Sequence, residues 1–155
     1  MSQDAALGFG DIAAHYAALR PSYPPALFDF LADNLEGPRH FAVDLGAGPQ
    51  KASVDLAALF DRVAAVEPDA RMLAAAPDHP RIERLNCSSE DAVFADGSVD
   101  CVIAATSFHW MDQDRVCANV ARWLRPRGVF FPFLYGPFFV TGGAAPVFRR
   151  HWNLW

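Results

Sequence analysis

Two carboxylates and two glycines form the pattern with the clearest chemical meaning in this chain. The apolar segment that ends at Val43 is followed by Asp44 and by a turn that contains Gly46 and Gly48. Glycine is needed where the backbone takes a positive φ or approaches a ligand closely. A second apolar segment ends at Glu67, one helix length further along the chain. This layout predicts a nucleoside site at the carboxyl ends of two adjacent parallel strands, where Glu67 accepts hydrogen bonds from the ribose hydroxyls.

The residues around the two glycines indicate which nucleoside is bound. A dinucleotide site requires a third glycine at the position that Lys51 occupies here. Asp44 would also repel a pyrophosphate, whereas its charge suits a ligand that carries positive charge. The amino group and the sulfonium of S-adenosylmethionine (SAM) meet this requirement, so the motif favours SAM over a dinucleotide. A tight strand-to-helix turn that binds no ligand is the alternative.

Composition and charge exclude several other classes of protein. A length of 155 residues and an apolar fraction of 52% predict one folded domain. The net charge of −5 argues against a nucleic-acid partner, which requires a basic face. The sequence has neither a membrane span nor a signal-peptide pattern. The odd number of cysteines, without metal-ligand spacing, predicts reduced thiols, no metal site and a cytoplasmic location.

The predicted strands and helices alternate along the chain. Strands are predicted at 41–45, 63–67, 81–86, 99–105 and 129–135, and helices at 11–19, 24–35, 51–60, 69–76 and 112–124. The strands are continuous apolar runs, as is typical of a parallel sheet that is covered on both faces. We therefore predict an α/β doubly wound (Rossmann-like) fold with a mainly parallel five-stranded sheet.

Four sequence blocks carry a resemblance that spans residues 9–135. They are Phe9-Gly10 with Tyr16 and the run Arg20 to Pro24, the segment VDLGAG at 43–48, the segment VEPD at 66–69, and a block from Ser89 through SFHW at 107–110 to Gly128. Together they resemble the class I SAM-dependent methyltransferases of the small-molecule type, and most of all the trans-aconitate methyltransferase group. The resemblance implies a single domain with an N-terminal helical lid at 1–36, a SAM-binding core at 40–135 and an irregular tail at 136–155.

The resemblance also implies roles for individual residues. Asp44, Gly46 and Gly48 would hold the methionine part of SAM, and Glu67 would hold the ribose. The other implied contacts are Met72 near the ribose, Ser89 and Glu90 beside the adenine, Thr106 and Ser107 beside the methyl donor, and Tyr16 and Arg20 on the lid, where they could meet a carboxylate. The alternative is that Tyr16 and Arg20 are only packing and surface residues of an N-terminal helix.

The implied reaction is in-line methyl transfer from SAM to a small molecule, either a carboxylate or another oxygen acceptor. Alignment of the reacting groups can contribute about 7–11 kcal/mol. A carboxylate acceptor is ionised at neutral pH and needs no base, whereas a phenol or an amine would benefit from one. His109 is the candidate for that base, with Trp110 as an aromatic wall. A loop histidine beside a core tryptophan is the alternative, and we favour it.

Two features depart from the family pattern. Gln50 stands where a third glycine is usual, and its side chain is expected to obstruct the methionine tail unless it is itself a ligand contact. The residues after Tyr135 are too few for the helix and antiparallel hairpin that usually complete the sheet, so we expect a C-terminally truncated domain. Strand 129–135 would then be an edge prone to self-association. The alternative function is a degenerate methyltransferase-like fold without turnover that acts as a cofactor-binding or interaction module.

Overall fold

A computed structural model describes residues 22–134. In this range five parallel strands form one sheet in the order β3-β2-β1-β4-β5. The strands are β1 Phe41–Leu45, β2 Arg62–Val66, β3 Ile82–Leu85, β4 Val99–Ala105 and β5 Leu124–Phe133, and the helices are α1 Pro25–Asp33, α2 Lys51–Leu59, α3 Ala70–Ala74 and α4 Gln113–Trp123, with a 3-10 turn at Phe108–Trp110. The predicted doubly wound α/β fold is confirmed.

Helices cover both faces of the sheet, and this explains why the strands are apolar throughout. Every residue of β1 and β4 is buried. On one face the core includes Leu31 of α1 and Leu56 of α2. On the other face α4 contributes Val116, Val120 and Trp123, which recur at helical spacing and leave almost no exposed surface. Two apolar layers therefore hold the central strands rigidly in place.

The boundaries of β5 differ from the prediction. The strand was expected to begin at residue 129, whereas its pairing with β4 already begins at Leu124, opposite Val99. The register shifts between Val99 and Cys101, and Arg127 takes a φ of 69° within the irregular stretch. The local sequence pattern does not predict this earlier start of β5, because a β-bulge is defined by the pairing with the partner strand.

Some predictions fall on residues beyond the described range. Among residues 22–134, β5 is one of the two edge strands of the sheet. The lid helix at 11–19, the tail at 136–155 and the expected lack of a C-terminal hairpin lie outside the described residues, so truncation and self-association through 129–135 remain predictions. Within residues 22–134, no helix has the length and apolarity needed to cross a membrane.

Asp100 connects several chain segments at the amino-terminal end of the sheet, opposite the carboxyl ends of the strands. Its carboxylate, which is 4% exposed, accepts hydrogen bonds from the backbone N–H groups of His40 and Phe41 at 2.8 Å each. It also pairs with the guanidinium of Arg125, which donates to the carbonyl of Glu36. Burial by itself would raise the pKa of Asp100, but the Phe41 N–H, the Arg125 guanidinium and the His40 N–H together lower it.

We expect Asp100→Asn to lower the free energy of unfolding by about 1.5–3 kcal/mol at pH 7, because charge-assisted hydrogen bonds are lost. The folded pKa lies below the unfolded value of about 3.9, so this contribution should persist down to about pH 5 and decline below about pH 4. Urea denaturation of both proteins at pH 7, 5 and 3 measures the difference. Asp96→Asn, which alters an exposed side chain, serves as the control. Equal stability of Asp100→Asn and wild type at pH 7 would contradict the assignment.

Candidate functional site

The carboxyl ends of β1, β2 and β4 meet at one edge of the sheet. Leu45, the last residue of β1, is in register with Val66, the last residue of β2. The turn after β1 crosses toward β2, where the N–H of Ala47 donates to the carbonyl of Val66 at 3.0 Å. In a parallel sheet this edge is where ligands bind, at the point where the strand order reverses. Here the order reverses between β1 and β4.

The two glycines of this turn serve different physical purposes. Both have a positive φ, 66° at Gly46 and 54° at Gly48. A Cβ on Gly46 would lie 2.6 Å from the Cβ of Ser107, whose hydroxyl donates to the carbonyl of Leu45 at 2.6 Å. Among the described residues, a Cβ on Gly48 would meet only the Met72 methyl group, at an ordinary 3.4 Å. Gly46 is therefore required for the close approach of the segment after β4, and Gly48 for its backbone conformation.

Glu67 holds the glycine turn against the end of β2. Its carboxylate accepts hydrogen bonds from the N–H of Gly48 at 2.9 Å and from the N–H of Asp69 at 3.0 Å. Burial raises the pKa of Glu67, although the two N–H groups oppose this effect. Carboxylate oxygens have about four lone-pair sites in total, so two remain for other donors. Glu67 is half-buried, and both of its hydrogen-bond donors among the described residues come from the backbone.

Asp44 is fully buried at the end of β1. One carboxylate oxygen accepts a hydrogen bond from the hydroxyl of Ser53 at 2.6 Å, whereas the other, Oδ1, has no partner among the described residues. Burial raises the pKa of Asp44 to about 7; the Ser53 hydrogen bond opposes the shift and the charge of Glu67 adds to it. A buried acceptor without a donor costs about 1–3 kcal/mol. A hydrogen-bond donor placed at Oδ1 would remove this cost.

Thr106 follows β4 in a conformation that is unusual for its residue type. Its φ is 57°, and its N–H donates to the carbonyl of Phe133 at 2.7 Å. Its hydroxyl lies 3.4 Å from that of Tyr23, which is also 3.5 Å from the carbonyl of Ala105. β-branched residues rarely take a positive φ, and such strain is concentrated at functional sites.

Sequence reasoning gave no role to Tyr23 or Ser53, although both contact predicted site residues. Tyr23 belongs to the N-terminal block RPSYP, and this was the only signal for it. Ser53 lies in the helix predicted at 51–60, and no local sequence pattern indicates that its hydroxyl contacts Asp44.

The segment from Ser89 is anchored to the start of α4. Ser89 is buried, while the carboxylate of Glu90 accepts a hydrogen bond from the N–H of Asp112 at 2.7 Å. The carbonyl of Glu90 also accepts one from the side chain of Asn119 at 3.0 Å. These contacts give Glu90 a structural role, and the predicted position of Ser89 and Glu90 beside an adenine stays a prediction.

His109 and Trp110 lie on the exposed 3-10 turn after β4, with ring centroids 4.9 Å apart. Trp110 is 51% exposed, so the expectation of a core tryptophan beside a loop histidine was wrong about the tryptophan. The predicted lid residues Tyr16 and Arg20 lie outside the described residues. Among residues 22–134, no cluster of three or more His, Cys, Asp or Glu side chains could hold a metal ion.

Comparison with known proteins identifies the family. A model of the methyltransferase domain matches residues 43–131. An uncharacterized methyltransferase of Mycobacterium tuberculosis is 37% identical over 127 residues, which are 81% of this chain and 51% of that protein. A Saccharomyces cerevisiae protein, named a probable S-adenosylmethionine-dependent methyltransferase, is 34% identical over 83% of this chain and 47% of its own length.

Solved structures agree with these sequence matches. A candidate type II methyltransferase from Anaeromyxobacter dehalogenans superposes with a TM-score of 0.75 at 38% identity, over 87% of this chain and 57% of that one. The DhpI–SAM–HEP complex superposes with a TM-score of 0.67 at 27% identity, over 84% of this chain and 66% of that one. The chain thus spans about half the length of the curated relatives it matches. On the match over residues 43–131, which contain both strand-end carboxylates and the glycine turn, the chain belongs to the methyltransferase-domain family of class I SAM-dependent methyltransferases.

Proposed function

We propose that this domain binds SAM at the glycine turn and transfers its methyl group to a small molecule, either a carboxylate or another oxygen acceptor. The observation that carries the proposal is the pair of strand-end carboxylates. Glu67 is held in place by two backbone N–H groups, and Asp44 keeps one buried oxygen without a donor among the described residues. The resemblance of the N-terminal block to the trans-aconitate methyltransferase group supports a carboxylate as the acceptor.

The residues of the turn fit the chemistry of SAM. Asp44 Oδ1 needs a donor, which the ammonium group of the methionine part provides. Gly46 and Gly48 keep side chains away from the turn, and the remaining lone pairs of Glu67 suit the ribose hydroxyls. When bound, SAM supplies a methyl group that its sulfonium has already activated. The protein's own task is to orient the reactants and exclude water.

We infer that residues at the end of β4 orient the acceptor. The backbone of Thr106 is held by Phe133, and its hydroxyl is close to that of Tyr23. An ionised carboxylate acceptor needs no proton removed, so these residues need only position it. His109, on the exposed turn that follows, would act as a base only toward a phenol or an amine.

Binding of S-adenosylhomocysteine tests the proposal without knowledge of the acceptor. Calorimetric titration should detect binding to the wild type, and Glu67→Ala should raise the dissociation constant about 10- to 150-fold, equivalent to about 1.5–3 kcal/mol for charge-assisted hydrogen bonds. Glu83→Gln, which changes an exposed glutamate of β3, should bind like the wild type. A folded Glu67→Ala protein with unchanged affinity would refute the role of Glu67. A wild type that does not bind S-adenosylhomocysteine would instead support the degenerate-fold alternative in its form as an interaction module.

The affinity for S-adenosylhomocysteine should increase as the pH rises through about 7 and level off above it. Burial raises the pKa of Asp44 to about 7 in the free protein, and the ligand ammonium requires the ionised carboxylate. The same shift predicts that the ligand-free protein becomes less stable as pH rises from about 4 to about 8, because the native state retains a proton that the unfolded state releases. Titrations between pH 5.5 and 8.5 measure the slope in affinity. The idea fails if Asp44→Asn, which cannot ionise, retains that slope.

Methyl transfer to carboxylates can be tested with SAM that carries an isotopically labelled methyl group and a panel of small polycarboxylic acids. We expect a labelled methyl ester, and we expect His109→Ala to form it at a rate within about twofold of the wild type because an ionised acceptor needs no base. Transfer only to phenols or amines, with a large loss in His109→Ala, would reverse the choice of acceptor.

A further inference from the structure

Gln50 combines three features that are each unfavourable for a folded protein. Its φ is 64° and its ψ is 24°, a left-handed conformation that costs a residue with a Cβ about 1–2 kcal/mol. Its side chain is 1% exposed, and its amide Nε2 has no hydrogen-bond partner among the described residues. A buried donor without a partner costs about 1–3 kcal/mol more. Glycine would avoid all of these costs.

The backbone of Gln50 is fixed on both sides. Its N–H donates to the carbonyl of Ala47 at 2.9 Å, and its carbonyl accepts the first helical hydrogen bond of α2 from Val54 at 3.0 Å. The side chain makes no capping hydrogen bond to α2. The amide is therefore not needed to begin the helix, and its burial has no explanation within the described structure.

A second unpartnered atom lies at the same helix start. Ser53, in the first turn of α2, donates to one carboxylate oxygen of Asp44 at 2.6 Å, so the Asp44 carboxylate lies against the turn that Gln50 begins. The other oxygen of Asp44 lacks a partner among residues 22–134, as does the amide of Gln50. One buried acceptor and one buried donor near the start of α2 thus both lack a hydrogen-bond partner among the described residues.

We propose that Gln50 is a ligand contact, whose side-chain amide donates to the carboxylate of the methionine part of SAM while Asp44 accepts from its ammonium. An α-amino acid group carries one negative and one positive charge, and the two unpartnered atoms match this pair in chemical type. The N-terminus of α2 adds a partial positive charge that favours the carboxylate. The inference rests on the proposed function, and it reverses the expectation that Gln50 obstructs the methionine tail.

The test compares two ligands on three variants by calorimetry with the full chain. S-adenosylhomocysteine carries the carboxylate, and its decarboxylated form lacks this group but keeps the ammonium. Gln50→Gly removes the amide and suits the left-handed backbone, and Gln50→Glu keeps the size but replaces the donor with a negative charge. Arg127→Gly is the matched control, because Arg127 is also left-handed, with a φ of 69°, and is exposed on β5 away from the turn.

We expect Gln50→Gly to weaken binding of S-adenosylhomocysteine about tenfold and Gln50→Glu to weaken it further, as loss of a charge-assisted hydrogen bond requires. Binding of the decarboxylated ligand to Gln50→Gly should stay within about twofold of the wild type, and Arg127→Gly should bind both ligands like the wild type. Unchanged or tighter binding of S-adenosylhomocysteine by Gln50→Gly overturns the inference, as does an equal loss for both ligands. Absence of any binding to the wild type overturns the proposed function first, so the two failures are distinguishable.

Discussion

The hydrogen bond from the N–H of Gly48 to the carboxylate of Glu67 joins the two strands on which the site depends. It connects the turn after β1 to the end of β2, at a distance of 2.9 Å. The bond depends on the positive φ of Gly48, and it sets the position of the turn that contains Gly46 and Gln50. On the other side of that turn, the contact of Gly46 with Ser107 brings in the end of β4. The geometry of three strand ends is thus set by one short loop.

Two buried aspartates show how the opposite ends of the sheet differ. Asp100 has donors on both oxygens, and these lower its pKa despite burial. Among the described residues Asp44 has a single donor, Ser53, and burial raises its pKa to about 7. Full satisfaction of a buried charge serves stability, whereas an incompletely satisfied one is retained at a cost. The contrast is consistent with structural support at one end of the sheet and with the proposed ligand site at the other.

The turn after β1 concentrates further unfavourable features. Gln50 takes a left-handed conformation with a buried amide, and Thr106, across the site, takes a similar conformation at the end of β4. A fold stabilised by apolar layers on both faces of its sheet can tolerate such local costs. Strained and unpartnered groups that cluster at one edge are consistent with a binding function for that edge.

The sequence by itself determined the class of the fold and the positions of Asp44 and Glu67. Continuous apolar runs that end in an acid or at a glycine turn indicate the carboxyl ends of parallel strands, so chain order alone places Asp44 and Glu67 at these ends. Only the tertiary structure decided the partners of these residues, because they come from distant segments. Ser107, at the end of the neighbouring strand β4, explains why residue 46 is a glycine, and the β-bulge of β5 depends on Val99. The exposure of Trp110 and the burial of the Gln50 amide also depend on packing between elements, to which local sequence patterns are insensitive.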